Sequence, residues 1–131
     1  MVFDLDHLPA DVLGFLAERH LGTLTTLDRT GAPQVTPVGL TYDAAERLAR
    51  VITWSTSVKA RNVVRRPGQR VALCQLDGGR WLTLYGAATV TDDPVRTAGA
   101  EARYAERYRT PKSRPDRVAI EIAVTRIVGR A

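Results

Sequence analysis

The residues best placed to do chemistry lie where a strand-like run meets a cationic helical turn, in the segment Trp54-Ser-Thr-Ser-Val-Lys59. The first N–H groups of a helix lack backbone partners, and the helix dipole makes that end positive, so it favours anions. Ser57 can donate a hydrogen bond there and Lys59 adds a charge, so the segment predicts a site for one phosphate group. The alternative is that Ser57 only caps the helix and Lys59 is a solvated surface lysine.

A second candidate is the segment Pro33–Gly39, which has the pattern of a strand interrupted by Pro37. Proline cannot donate a ladder hydrogen bond, so a strand that contains it leaves backbone groups unpaired. Those groups could hydrogen-bond the edge of a flat heteroaromatic ring. The alternative is an ordinary edge strand in which Pro37 prevents strand-to-strand aggregation.

Two further segments place aromatic residues beside arginines. Trp81 begins a strand after the turn Asp77-Gly-Gly, so it could stack on a ring while Arg80 binds an acidic group. The alternative for Trp81 is a half-buried strand aromatic. The segment Arg103–Pro111 holds three arginines and two tyrosines around a predicted helix end. It is either a carboxylate-binding lid or a set of cations that complement the helix dipole.

The elements that position these segments are mainly strands. A helix is predicted from Pro9 to about His20. Threonine-rich and apolar runs between turn residues then predict six strands, with two more helices. The predicted strands are 21–28, 33–43, 48–54, 69–76, 80–91 and 117–128, and the two helices are 58–66 and 94–107. Alternation in the last strand puts Val118 on an apolar face and Glu121 on a polar one. Six antiparallel strands in so short a chain favour a barrel, which removes exposed edges.

Composition limits the class of protein. The 131 residues suit one domain over 1–131, and 19 Lys and Arg against 14 Asp and Glu give a net charge of +5. The arginines are scattered along the chain and form no dense block, so the charge suits an anionic small molecule as well as nucleic acid, and we expect no nucleic-acid partner. No apolar run approaches the roughly 20 residues of a membrane span, and no signal pattern is present at the N-terminus. We therefore expect a cytoplasmic protein with no membrane partner.

Several kinds of active site are missing from the sequence. His7 and His20 have no cysteine or glutamate at metal-ligand spacing, so we predict no metal site. The nucleophile-elbow, Walker and dinucleotide-binding glycine motifs are all absent. So few candidate acids and bases indicate that a cofactor supplies the difficult chemistry, and no catalytic residue is assigned.

The order of elements resembles the pyridoxamine-phosphate-oxidase-like split-barrel family over nearly the whole chain. The motifs that carry the resemblance are Leu21–Leu27, Gly31–Val38 and Ser57-x-Lys-x-x-Asn62. More narrowly, Gly79–Leu82 and Arg103–Pro111 are similar to the actinobacterial F420-dependent biliverdin reductases. The resemblance implies an α+β, mainly β protein with a six-stranded antiparallel split barrel of the FMN-binding type and flanking helices. It also implies a homodimer with the cofactor at the subunit interface.

The resemblance also implies which residues form the site. The cofactor would be coenzyme F420, with FMN as the alternative. Its binding residues would be Gln34, Val35, Thr36, Pro37, Val38 and Thr53 around the ring, Ser57, Val58, Lys59 and Asn62 around the phosphate, and Arg80 and Trp81 on the cofactor or substrate side. The substrate-binding residues would be Arg107, Tyr108 and Arg109. FMN-binding members often have an arginine where this chain has Val58. The lower positive charge of this chain at that point suits the phosphodiester of F420 better than the terminal phosphate dianion of FMN.

The activity implied by the resemblance is hydride transfer from reduced F420 to a conjugated substrate. The expected substrate is a tetrapyrrole, biliverdin, which would be reduced to bilirubin. Two alternatives remain open. One is a non-catalytic protein that binds F420, FMN or a tetrapyrrole, and the other is an FMN-dependent oxidoreductase of the same fold.

Overall fold

Seven antiparallel strands and three helices form the computed structural model, which describes residues 1–131. The helices are α1 (Ala10–Ala17), α2 (Val58–Arg65) and α3 (Pro94–Arg107). The strands are β1 (Gly22–Leu27), β2 (Pro33–Val38), β3 (Thr41–Asp43), β4 (Leu48–Trp54), β5 (Gln69–Asp77), β6 (Arg80–Thr91) and β7 (Arg117–Arg130). No helix is long and apolar enough to cross a membrane.

The sheet closes on itself because of one short connection. Its strand order is β2-β1-β5-β6-β7-β4-β3, with every pairing antiparallel. The strands at its two ends, β2 and β3, are consecutive in the chain and are joined by Gly39 and Leu40 alone. So short a link spans at most roughly 10 Å, so the two ends of the sheet must meet. The predicted antiparallel split barrel is confirmed.

The number of strands differs from the prediction, because the expected strand 33–43 is divided into β2 and β3. β2 pairs with β1, whereas β3 pairs with β4, so the chain changes partner at Gly39 and Leu40. Gly39 packs so closely under α3 that a Cβ there would lie 2.6 Å from the Tyr104 ring. Leu40 turns inward and is 1% exposed. This change of partner depends on tertiary packing, which the alternation of residue types does not record.

The barrel interior is mainly apolar, and α1 packs against it. Cross-strand neighbours such as Leu73 and Leu84 are fully buried, and α1 adds Phe15 to the same core. A buried amide, Gln75 Nε2, donates to the carbonyl of Phe15 at 2.8 Å and ties β5 to the helix. Helix α1 ends at Ala17, earlier than predicted, because the chain after it is extended at Glu18.

The first half of the outer face of β7, which alternation predicted to be the polar face, is buried around Glu121. Helix α3 packs over that face, so Glu121 is 8% exposed. Its carboxylate accepts a hydrogen bond from Arg96 Nε at 3.1 Å. Similarly, Arg103 of α3 donates to Asp43 of β3 at 2.9 Å. Helix α3 therefore docks largely through ion pairs, and this is why its contact surface has polar residues in the sequence.

The outer face of β5 and β6 is different, because its side chains remain exposed or half-buried. We call it the open face, and it consists of Arg70, Ala72, Cys74, Leu76, Trp81, Tyr85 and Ala87 around the buried Thr83. Leu76 and Trp81 lie opposite each other and are 64% and 38% exposed. Arg70 lies at one end, opposite Ala87, and the rest of the open face is an uncharged, mainly apolar surface on the barrel wall.

A candidate cofactor cleft at the junction of the barrel

The largest cleft lies where β2 and β4 diverge and has a volume of about 640 Å³. Thr41 of β3 lies opposite Arg50 of β4. Extending that register would place Gly39 opposite Ile52 and Pro37 opposite Trp54. All four of those residues line the cleft instead of pairing with each other, because β2 has turned away to join β1. The cleft is therefore the split in the barrel.

The charged residues that line the cleft are all cations: Lys59, Arg109, Lys112, Arg114 and Arg117. Arg114 is paired with Asp116, and Arg117 with Glu101. The side chains of the other three make no hydrogen bond or ion pair within the chain. With no acidic residue in its lining, the cleft attracts anions.

Lys59 is partly buried against Trp54. Its Nζ lies 5.1 Å from the centre of the Trp54 ring, a cation–π distance. The guanidinium of Arg114 lies 4.8 Å from the same ring. Burial lowers the pKa of Lys59 from its ordinary value, because desolvation disfavours the charged form. An anion beside Nζ would offset that cost, so the cleft is suited to a phosphate at this point.

The residues around Lys59 hold its helix in place. Ser57 caps α2, with its Oγ accepting from Ala60 N at 3.3 Å. Thr53 Oγ1 donates to Ser57 Oγ at 2.9 Å, and Asn62 Nδ2 donates to Thr26 Oγ1 at 3.1 Å. Thr53, Ser57 and Asn62 are all buried and do not line the cleft. In this chain their hydrogen bonds position Lys59.

The predicted ring-binding segment divides between cleft and surroundings. Thr36, Pro37 and Val38 line the cleft. Gln34 and Val35 do not; Gln34 Oε1 accepts from a threonine hydroxyl of β1, and Val35 is 59% exposed. Because β2 is an end strand of the sheet, one row of its backbone groups has no strand partner. These groups are therefore available to a ligand along the cleft wall.

Val58, Arg80 and Trp81 lie outside the cleft of their own chain. Val58 is 47% exposed at the start of α2. Arg80 binds both Glu18 carboxylate oxygens at 2.9 Å and Asp77 at 2.6 Å. Trp81 belongs to the open face. The structure thus separates the Arg80 and Trp81 pair from the Lys59 turn.

Arg80 lies at the centre of a small charged cluster that the sequence spacing did not indicate. His20 Nε2 is 3.0 Å from Glu18 and 3.7 Å from Asp77, and possible metal-ligand atoms of these three residues lie within 4.8 Å of one another. Both carboxylates are bound by Arg80. The cluster is therefore an ion-pair network in this structure.

Removing Arg80 should change the titration of Glu18. The Arg80 hydrogen bond, followed by that of His20, lowers the Glu18 pKa from 4.5 to about 2. A depressed carboxyl pKa stabilises the fold above about pH 4.5, and that contribution is lost as the pH falls toward 2. Arg80→Ala should raise the Glu18 pKa toward 4.5, which an NMR titration of the side-chain carboxyl can follow. An unchanged titration would show that Arg80 does not hold Glu18 in solution.

The three predicted substrate residues have different surroundings. Arg107 donates to Glu18 O at 2.8 Å, Leu40 O at 2.6 Å and Gln75 Oε1 at 2.5 Å. Tyr108 is buried, and its hydroxyl donates to His20 O at 2.7 Å. Of the three, Arg109 alone lines the cleft. The structure therefore uses Arg107 and Tyr108 to bind α3 to the barrel.

Sequence reasoning selected five of the fourteen residues that line the cleft and missed the other nine. The cleft residues that it did not select are Gly39, Ile52, Trp54, Tyr104, Thr110, Pro111, Lys112, Arg114 and Arg117. Two signals point to some of them: an aromatic residue at the end of a strand, and three cations within the proline-containing stretch 110–117. Neither signal indicates that these residues face β2.

A split barrel with an anion-attracting cleft between diverging strands defines a cofactor-binding barrel. The chain belongs to the pyridoxamine 5'-phosphate oxidase family, whose sequence profile matches residues 8–130. It is 48% identical over 131 residues to an F420H(2)-dependent biliverdin reductase of Mycobacterium tuberculosis (strain CDC 1551 / Oshkosh). That alignment covers 100% of this chain and 94% of the relative.

Solved structures share the fold. A conserved hypothetical protein from Mycobacterium tuberculosis superimposes with a TM-score of 0.78 at 24% identity, covering 95% of this chain and 84% of the other. An F420 reductase superimposes with a TM-score of 0.73 at 26% identity, covering 92% and 98%. These similarities show the fold and agree with the family assignment.

Proposed function

We propose that this protein is an F420-dependent reductase that transfers a hydride from the reduced deazaflavin to biliverdin, giving bilirubin. The structural observation that carries the proposal is the cleft, whose charged lining is entirely cationic and whose Lys59 is unpaired. Full-length similarity to an F420H(2)-dependent biliverdin reductase supports the same activity. Both the coenzyme and biliverdin combine conjugated rings with acidic groups, and the cationic lining of the cleft suits the acidic groups of both.

The residues of the cleft fit coenzyme F420. Lys59 would hold the phosphodiester, and the open edge of β2 at Thr36–Val38 would hydrogen-bond the ring. Lys112 and Arg114 would hold the acidic glutamyl tail. FMN ends in a phosphate dianion, which needs more positive charge than a phosphodiester. Arg61 does not line the cleft, so it does not replace the arginine that FMN-binding members often have at the position of Val58, and this favours F420.

When bound, reduced F420 supplies the hydride that the reduction requires. The chain's own residues position the two reactants and stabilise charge. Neither a carboxyl group nor a histidine lines the cleft. A water bound by an arginine of the lining would supply the proton that completes the reduction, and the cations of the lining would hold the anionic groups of the substrate.

We also propose a cytoplasmic homodimer that associates through the open face. A mainly apolar, exposed surface on a barrel wall favours a protein partner. Trp81 lies on that face and Arg80 beside it, so they would contact the cofactor of the second copy and not that of their own chain. Sedimentation velocity at micromolar concentration tests the association, and a monomer under those conditions would contradict it.

The activity test mixes purified protein with reduced F420 and biliverdin. We expect the reduced coenzyme to be consumed as bilirubin appears, which absorbance can follow at both chromophores. Parallel titrations with F420, FMN and FAD should show preference for F420. Tight binding without turnover would instead indicate a carrier protein, and preferential FMN binding would contradict the coenzyme assignment.

A further inference from the structure

A side chamber adjoins the cleft at Tyr104 and Arg109. Its volume is about 350 Å³, and its lining consists of Arg19, His20, Leu21, Tyr104, Tyr108 and Arg109. Tyr104 and Arg109 also line the cleft. The cleft and the chamber are therefore neighbours that share these two side chains.

The chamber combines flat aromatic surface with positive charge. The rings of Tyr104 and Tyr108 lie 4.9 Å apart at 36° and form one wall. Leu21 is 62% exposed and adds apolar surface. Arg19 donates to the carbonyl of Tyr108, which fixes its guanidinium in the chamber. No carboxylate is present in the lining, so the chamber suits a conjugated apolar group that carries an acid.

Arg109 differs from its neighbour Arg107 in having no hydrogen-bond or ion-pair partner within the chain. Its five N–H donors are free to bind a carboxylate, including in the two-point geometry that guanidinium and carboxylate share. Its position on the wall common to cleft and chamber places those donors beside both spaces.

The chemistry of the proposed substrate makes this position important. The two propionates of biliverdin are carried by the two central rings, which flank the methine bridge that accepts the hydride. A cation that holds a propionate therefore also fixes the position of the reacting carbon. Small errors in that position lower the rate of transfer strongly.

We infer, on the basis of the proposed function, that Arg109 binds a propionate of the tetrapyrrole and that the chamber receives a terminal pyrrole ring against Tyr104 and Tyr108. Arg109 is then a specificity-determining residue, because it selects tetrapyrroles that carry a free acid. Arg107 holds the helix end from which Arg109 extends.

The test compares biliverdin with its dimethyl ester, which has the same rings without the charges. Arg109→Ala should weaken biliverdin binding about ten-fold or more, as expected for the loss of one charge-assisted contact. Arg109→Lys should lose less affinity for biliverdin than Arg109→Ala, because lysine keeps the positive charge. Binding of the ester and of F420 should not change. Absorbance titration without coenzyme gives the dissociation constants, and Arg29→Ala, an exposed turn residue, is the control.

A second variant tests the chamber itself. Leu21→Trp would fill the chamber from an exposed position, so it should weaken both biliverdin and its ester while F420 binding stays unchanged. The inference is overturned if Arg109→Ala leaves biliverdin binding intact, weakens the ester equally, or weakens F420. Wild-type protein that binds no biliverdin would overturn the proposed function as well, so the two failures are distinguishable.

Discussion

Replacing Lys59 by alanine should weaken the binding of F420 about ten-fold or more, the cost of one charge-assisted contact to an anion. Lys59 is the cation nearest the start of α2, it is unpaired, and its burial against Trp54 makes a bound anion its natural partner. The dissociation constant of F420 for each protein is measured from the fluorescence of the coenzyme. The loss should shrink at high salt, because screening weakens the contact that was removed.

Two matched variants show whether the effect is specific to Lys59. Arg61→Ala removes a cation from the same helix that does not line the cleft, so F420 binding should be nearly unchanged. Lys59→Arg keeps the charge and should retain most of the affinity. Equal losses in Lys59→Ala and Arg61→Ala would indicate a diffuse effect of net charge instead of a contact at Lys59.

Replacing Arg107 by alanine should lower the free energy of unfolding by about 2–5 kcal/mol, because buried acceptors lose their donor. Its guanidinium binds Leu40 O and Gln75 Oε1 and reaches the carbonyl of Glu18. These bonds join the end of α3 to the link between β2 and β3, to β5 and to the end of α1. Burial lowers the Arg107 pKa, and the three acceptors hold the charge in place. Urea denaturation, monitored by circular dichroism, gives the change in the free energy of unfolding.

Arg109→Ala is the matched control for stability, since Arg109 lies two residues away and has no partner within the chain. Its unfolding midpoint should stay at the wild-type value. An Arg107→Ala protein with wild-type stability and impaired biliverdin binding would contradict the structural role and favour the substrate-binding role that the sequence predicted.

The elements predicted most accurately are those with strong local signals. The bounds predicted for β4, β6 and α3 are confirmed. Helix α3 follows the cap Asp93, whose side chain accepts from Arg96 N, and β6 follows a turn in which Gly78 has a φ of 59°. The division of strand 33–43 could not be predicted, because Gly39 and Leu40 respond to α3 and the core, which are distant in sequence.

The site, too, was predictable only where its residues belong to a local sequence pattern. The Lys59 turn is a local pattern, and so is the proline-bearing strand β2, and both lie at the cleft. Arg107 and Arg109 belong to the same short motif and look equivalent in the sequence. Their difference arises because Leu40 and Gln75, far away in the chain, accept hydrogen bonds from Arg107 and leave Arg109 free.

The width of the ligand site is not set by any ladder hydrogen bond, because it is a gap between two stretches of β2 and β4 that do not pair. The width is set instead at the link between the two walls, where Gly39 packs beneath the Tyr104 ring and Leu40 O accepts a hydrogen bond from Arg107. Side-chain packing around two residues therefore shapes the cavity before any ligand arrives. A larger residue in place of Gly39 would displace one wall of the cavity while leaving every strand pairing intact.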